Sequence, residues 1–143
     1  MPITPICVDA SVVIPLVTGS PAAEYVAASW TEWYESGRAL ASPTLLYYEV
    51  ANALHRYLVH GELDAAETAA ALDAALGLEI TLYGDAGIHR RALEIAGAYG
   101  LSATCDAHYL ALAEKLGAEL WTADRRLHET AQRAGLAAAL LTL

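Results

Sequence analysis

The chain is poor in cysteine and in positive charge. Cys7 and Cys105 stand far apart and match no zinc-binding or redox spacing, so both read as small core hydrophobes rather than as a disulfide in a reducing compartment. One lysine, Lys115, and seven arginines face 17 acids, leaving a formal charge of −9. That balance argues against coating nucleic acid through a broadly basic surface, but it allows a local basic rim around a site. Apolar runs are broken by Asp, Glu, Gly or Arg before they reach the roughly 18 residues that a membrane helix needs. The opening MPITPICVD has no basic leader region and no cleavage signature, so the expectation is a soluble, cytoplasmic chain without a membrane segment. A tandem period, a low-complexity tract and a Pro/Gly/Ser linker are also lacking, and the 143 residues read as one domain over 1–143.

What is present is an alternation of short apolar runs and helical patterns. The strand candidates are 6–9, 38–41, 79–82, 119–122 and 138–142. Between them lies helix punctuation. Ser42-Pro43 reads as a cap followed by a first-turn proline, Asp64 and Glu67 have capping-box spacing, and Asp85 suits a cap. Gly61, Gly100, Gly117 and Gly135 fall where helices should stop. Such alternation predicts a parallel sheet with helices on both faces, whose right-handed crossovers bring the C-terminal strand ends to one edge. Ligands of such folds bind at that edge.

Against this frame, ICVDASVV (6–13) poses a problem, because Asp9 interrupts what looks like an interior strand, where an unpartnered carboxylate costs several kcal/mol. Asp124 lies two residues past the fourth strand candidate, at the same edge. Glu49, Asn52 and Arg56 make a polar stripe on the largely apolar helix SPTLLYYEVANALHRYLVHG, and Asp106 opens the helix in SATCDAHYLALAEKLG. Singly, Asp106 and Asp124 suit a helix start, and Glu49 suits a solvated face. Together they do not, since two carboxylates about 6 Å apart repel by roughly 3 kcal/mol at an effective dielectric near 20. A cluster of four needs protons or cations, and an all-oxygen set suits Mg²⁺ or Mn²⁺ and the hydrolysis of phosphodiesters.

The set VDAS (8–11), YYEVANAL (47–54), CDAHYLALAEKLG (105–117) and LWTADRRL (120–127) resembles the PIN-domain family, in particular VapC-type toxins of toxin–antitoxin pairs. The likeness extends over nearly the whole chain and implies a three-layer α/β/α fold with a central parallel sheet of about five strands. It implies a divalent-metal-dependent endoribonuclease with Asp9, Glu49, Asp106 and Asp124 as its acids. Asp9, Asp106 and Asp124 would hold Mg²⁺ or Mn²⁺, Asp124 directly or through water, with Glu49 either supporting the ligands or orienting the attacking water. Ser11 and Thr122 match hydroxyl positions beside the first and last acids, and Asn52 would support Glu49. Of Arg125 and Arg126, at least one would face an RNA phosphate, and Arg125 is the candidate. The implied partners are RNA, a cognate antitoxin protein and a second copy in a homodimer. Cys105 stands where relatives often carry an aromatic, which affects the shape of the pocket rather than its charge. Tyr25, Trp30, Trp33 and Tyr34 on one helix suit either core or a protein-binding surface. His108 reads as a boundary histidine, and His55 and His60 have poor spacing for a shared metal.

Two other classes compete. A PIN-like nuclease acting on DNA would use the same acids, and a catalytically silent protein-binding module would not need all four. Phospho-acceptor domains want an acidic neighbour to Asp9 and a lysine after the last strand, whereas Lys115 lies in a helix. A dehalogenase-like site wants Asp where Ser11 stands, and no Walker loop is present.

Overall fold

A strand whose residues are all apolar needs cover on both of its faces, and the run Ile-Cys-Val at 6–8 has that character. The computed structural model describes residues 3–142, so residues 1, 2 and 143 of the expected domain lie outside the described part. Ile6–Val8 form β1, the central strand, and all three residues are fully buried. The other strands are β2 (Leu40–Pro43), β3 (Thr81–Tyr83), β4 (Glu119–Thr122) and β5 (Ala138–Leu140). All pair in parallel, in the order β3-β2-β1-β4-β5. Cys7 lies opposite Ala41 on one side and Leu120 on the other.

Period-two alternation divides the core between the two faces of the sheet. Ile6, Val8 and Leu40 join Val12, Val50 and Trp33 on one face. That face carries α1 (Ala10–Thr18), α2 (Ala23–Glu35), α3 (Leu45–Val59) and α4 (Ala65–Leu76). Cys7, Ala41 and Leu120 join Ile88, Leu110 and Leu127 on the other. There α5 (Ala86–Ala98), α6 (Cys105–Leu116) and α7 (Arg125–Arg133) cover the sheet. The result is the expected three-layer α/β/α arrangement around a parallel sheet. The alanines buried on α5 and α6 let those two helices approach closely.

Several boundaries differ from the sequence reading. Ser42 and Pro43 close β2 instead of opening a helix, and Thr44 precedes α3. The reason is local: the Ser42 hydroxyl donates 2.8 Å to the Val8 carbonyl where β1 ends, and Pro43 lies at the last paired position of its strand, where the lack of an N–H is tolerated. Asp9 falls just beyond β1 as the residue before α1. Cys105 is exposed rather than part of the core, while Cys7 is buried as expected. On α2 the aromatics divide. Trp33 is buried against Trp30 and Trp121, whereas Tyr25 and Tyr34 face outward.

The capping box opening α4 is present in both directions. Glu67 N–H donates 2.7 Å to the Asp64 carboxylate, and Asp64 N–H donates 3.0 Å to Glu67. Asp64→Ala is therefore expected to lower stability by about 1 kcal/mol in urea unfolding, with an unchanged m-value.

Candidate active site

The strand order reverses between β1 and β4, and a crevice opens beyond the C-terminal ends of two strands whose connections run to opposite sides. Asp9 follows β1 and Asp124 follows β4, so topology alone delivers two acids to that crevice. Asp106 comes from the first turn of α6, and Glu49 from the second turn of α3. All four line one cavity of about 450 Å³, together with Arg56 and Tyr109. Residues more than a hundred positions apart thus share one pocket.

Asp9 is only 6% exposed, yet both of its carboxylate oxygens are bonded. Ser11 Oγ donates 2.6 Å to Oδ1, and Thr122 Oγ1 donates 2.6 Å to Oδ2. Each hydroxyl in turn accepts a backbone N–H, Ser11 from Ala123 at 2.8 Å and Thr122 from Asp124 at 2.9 Å. A backbone N–H can only donate, so each hydroxyl is left with its proton free for Asp9. The polarity of this circuit favours the carboxylate form. Burial opposes it more strongly and, with repulsion from Glu49 and Asp124, raises the Asp9 pKa to about 6 despite the two hydroxyls.

The other acids carry related tensions. Burial raises the Glu49 pKa, Tyr109 lowers it by donating a hydrogen bond from its hydroxyl to Oε1, and Asp106 raises it again. Asp106 is raised by burial and by Asp124, and lowered by Arg126. Asp124 also caps α7, its Oδ1 accepting from Arg126 N–H at 2.9 Å.

Two supporting assignments change. Asn52 is exposed and is not among the residues that line the cavity. Glu49 is held instead by Tyr109, three residues after Asp106 on α6, because that side of α3 faces the opposite helical layer across the sheet edge. A buried tyrosine hydroxyl needs a partner, and this was the available signal in DAHY (106–109). Among the arginines, Arg126 rather than Arg125 acts electrostatically on Asp106, and Arg56 lines the cavity wall. Both Arg125 and Arg126 are exposed, and neither is among the cavity-lining residues. His108 is half-buried and faces His89.

The cavity's acids are hard oxygen donors, a set that fits Mg²⁺ or Mn²⁺. Among the described residues, no three His, Cys, Asp or Glu side chains are grouped tightly enough to enclose an ion directly. Magnesium commonly keeps several waters and takes only one or two protein carboxylates, which suits acids spread around a cavity.

Fold and site together define an α/β domain with a carboxylate-lined crevice at the switch point of a parallel sheet. The chain belongs to the PIN domain family, whose model matches residues 6–133. Ribonuclease VapC9 of Mycobacterium tuberculosis is 41% identical over 90 residues, covering 63% of this chain and 68% of that protein. A VapC ribonuclease of Mycobacterium bovis aligns to the same extent. Among solved structures, PAE2754 from Pyrobaculum aerophilum is similar with a TM-score of 0.70 at 27% identity, covering 94% of this chain and 83% of that one. VapBC-1 from nontypeable Haemophilus influenzae has a TM-score of 0.65 at 15% identity over 94% and 96% of the two chains, a likeness of fold.

The raised Asp9 pKa has a defined sign in stability. The native state holds this proton more tightly than the unfolded chain, so the contribution is complete below the ordinary value of 3.8 and is lost as pH rises through about 6. In chelator, wild type is expected to lose about 3 kcal/mol relative to Asp9→Asn across that window in urea unfolding, whereas a pH-independent difference would mean an unshifted carboxyl.

Proposed function

We propose that this protein is a Mg²⁺- or Mn²⁺-dependent endoribonuclease of the VapC toxin type, hydrolysing RNA phosphodiester bonds. The observation that carries the reading is the convergence of Asp9, Glu49, Asp106 and Asp124 on one cavity, in a chain 41% identical over 90 residues to proteins named VapC ribonucleases. In this reading Asp9, Asp106 and Asp124 hold the ion. When bound, the ion polarises the phosphoryl group, activates a water and stabilises the leaving oxygen. Ser11 and Thr122 keep the Asp9 oxygens in place, which limits reorganisation as charge develops. Glu49, with Tyr109 fixing one of its oxygens, orients the attacking water through the other. Arg56 in the cavity wall and Arg126 beside Asp106 supply the local positive charge for RNA phosphates that the overall composition lacks.

A cognate antitoxin belongs to the same reading. A carboxylate-lined cavity in a chain of net charge −9 suits a partner that presents a basic side chain, and the outward-facing Tyr25 and Tyr34 of α2 offer apolar contact area. A homodimer and a cytoplasmic location complete it. Among the described residues no single helix is long and apolar enough to cross a membrane.

The test is cleavage of a defined RNA in Mn²⁺. Asp9→Asn and Asp106→Asn should each lower kcat/KM by at least about a hundredfold while the chain stays folded, and excess EDTA should silence the wild type. Tyr109→Phe, which removes only the hydroxyl, should cost about 10–100-fold. Wild-type rates in the aspartate variants or in EDTA would refute the assignment. Faster cleavage of a DNA strand than of RNA of the same sequence would move the specificity to DNA.

A further inference from the structure

Among the described residues outside the acidic cavity, a second cluster combines metal-ligating side chains with a defined geometry. His89 on α5 and His108 on α6 meet with Nδ1 of the first 2.9 Å from Nε2 of the second, their rings nearly edge to face at 5.0 Å. His108 Nδ1 lies 2.6 Å from the Thr104 carbonyl oxygen. A carbonyl only accepts, so His108 carries its proton on Nδ1 and turns the Nε2 lone pair toward His89. His89 Nδ1–H must then be the donor between the rings. This is a chain of fixed polarity, from His89 through His108 to the Thr104 carbonyl.

An imidazole whose Nδ1–H is held by a backbone carbonyl, with the Nε2 lone pair turned toward a second imidazole, has the second-nitrogen support usual for a histidine that ligates a metal. The second nitrogen, His89 Nδ1, lies close to a common point and ligates once its proton has moved to Nε2 of the same exposed ring, the tautomer change that gives up the hydrogen bond between the two histidines. Two zinc–nitrogen bonds of about 2.05 Å at a tetrahedral angle need nitrogens roughly 3.3 Å apart, a few tenths of an ångström wider than here. His89 is exposed and free to turn by that amount. Both histidines, with Cys105 and Tyr48, line a cavity of about 480 Å³. Cys105 and Tyr48 are the chain neighbours of Asp106 and Glu49, so this cavity lies beside the acidic one and shares α3 and α6 with it.

We infer that His89 and His108 form a binding site for a late first-row divalent ion such as Zn²⁺, clamping α5 to α6 with water in the remaining positions. Imidazole pairs favour such ions over Mg²⁺ and Mn²⁺, so the site differs in chemistry from the carboxylate cavity. The cleavage reading is not needed for this inference.

The test is calorimetric titration of the full chain with Zn²⁺ in the presence of excess Mg²⁺. One ion per chain is expected, with binding weakened at least about tenfold in His89→Gln and in His108→Gln, and changed less than about twofold in Cys105→Ser and Asp106→Asn. Wild-type affinity in either histidine variant would overturn the site, and so would loss of binding in Asp106→Asn. Ring-nitrogen NMR of the wild type gives a readout that does not depend on the variants folding. Zn²⁺ should move the signals of His89 and His108; movement confined to His55, His60 and His128 would refute the inference.

Discussion

The architecture of the site depends on keeping one carboxylate charged where charge is costly. Asp9 lies at the end of the central strand, buried, with an oxygen bonded by Ser11 of its own crossover and the other by Thr122 of the neighbouring strand. The same two hydroxyls take the backbone N–H groups of Ala123 and Asp124. Asp9 therefore ties the β1–α1 junction to the β4–α7 junction, and the geometry of that tie sets where Asp124 stands. A hydrophobic residue at position 9 would remove the desolvation cost but take from the buried Thr122 hydroxyl and the half-buried Ser11 hydroxyl the carboxylate that both donate to. The pocket and the packing of the strand ends are one arrangement.

The acids around Asp9 add repulsion without equivalent compensation, since burial raises Glu49 and Asp106 as well. Such groups do not improve a fold, and their convergence in one cavity makes it the candidate functional site. The sheet makes this tolerable because the cost falls at one edge, while the strand interiors remain apolar on both faces. Tyr109 joins the two helical layers across that edge by hydrogen-bonding Glu49, so α3 and α6 cannot shift independently without disturbing an acid.

Much of this was readable along the chain because the signals are local or periodic. The β-α alternation, the Asp64–Glu67 box and the glycines at 100, 117 and 135 each report on a few neighbouring residues, and the structure agrees with them. The misreadings share a cause. Ser42-Pro43 has the local grammar of a helix start, but a carbonyl of a strand 34 residues away claims the serine hydroxyl. Asn52 follows Glu49 by three residues and was the natural local partner, yet the partner comes from a helix 60 residues on. Arg125 and Arg126 are indistinguishable in sequence, and only the orientation of α7 brings one of them to bear on Asp106.

By itself, then, the order of residues determined the class of fold, the parallel sense of the sheet and the two acids, Asp9 and Asp124, that follow strands at one edge, because strand alternation and crossover handedness are properties of chain direction and side-chain period. What only the tertiary structure decided is which donors hold each acid, which arginine stands near them and which face of each helix turns inward. Those choices depend on contacts between segments distant in sequence, and no local pattern encodes the angle at which one helix meets another across a sheet.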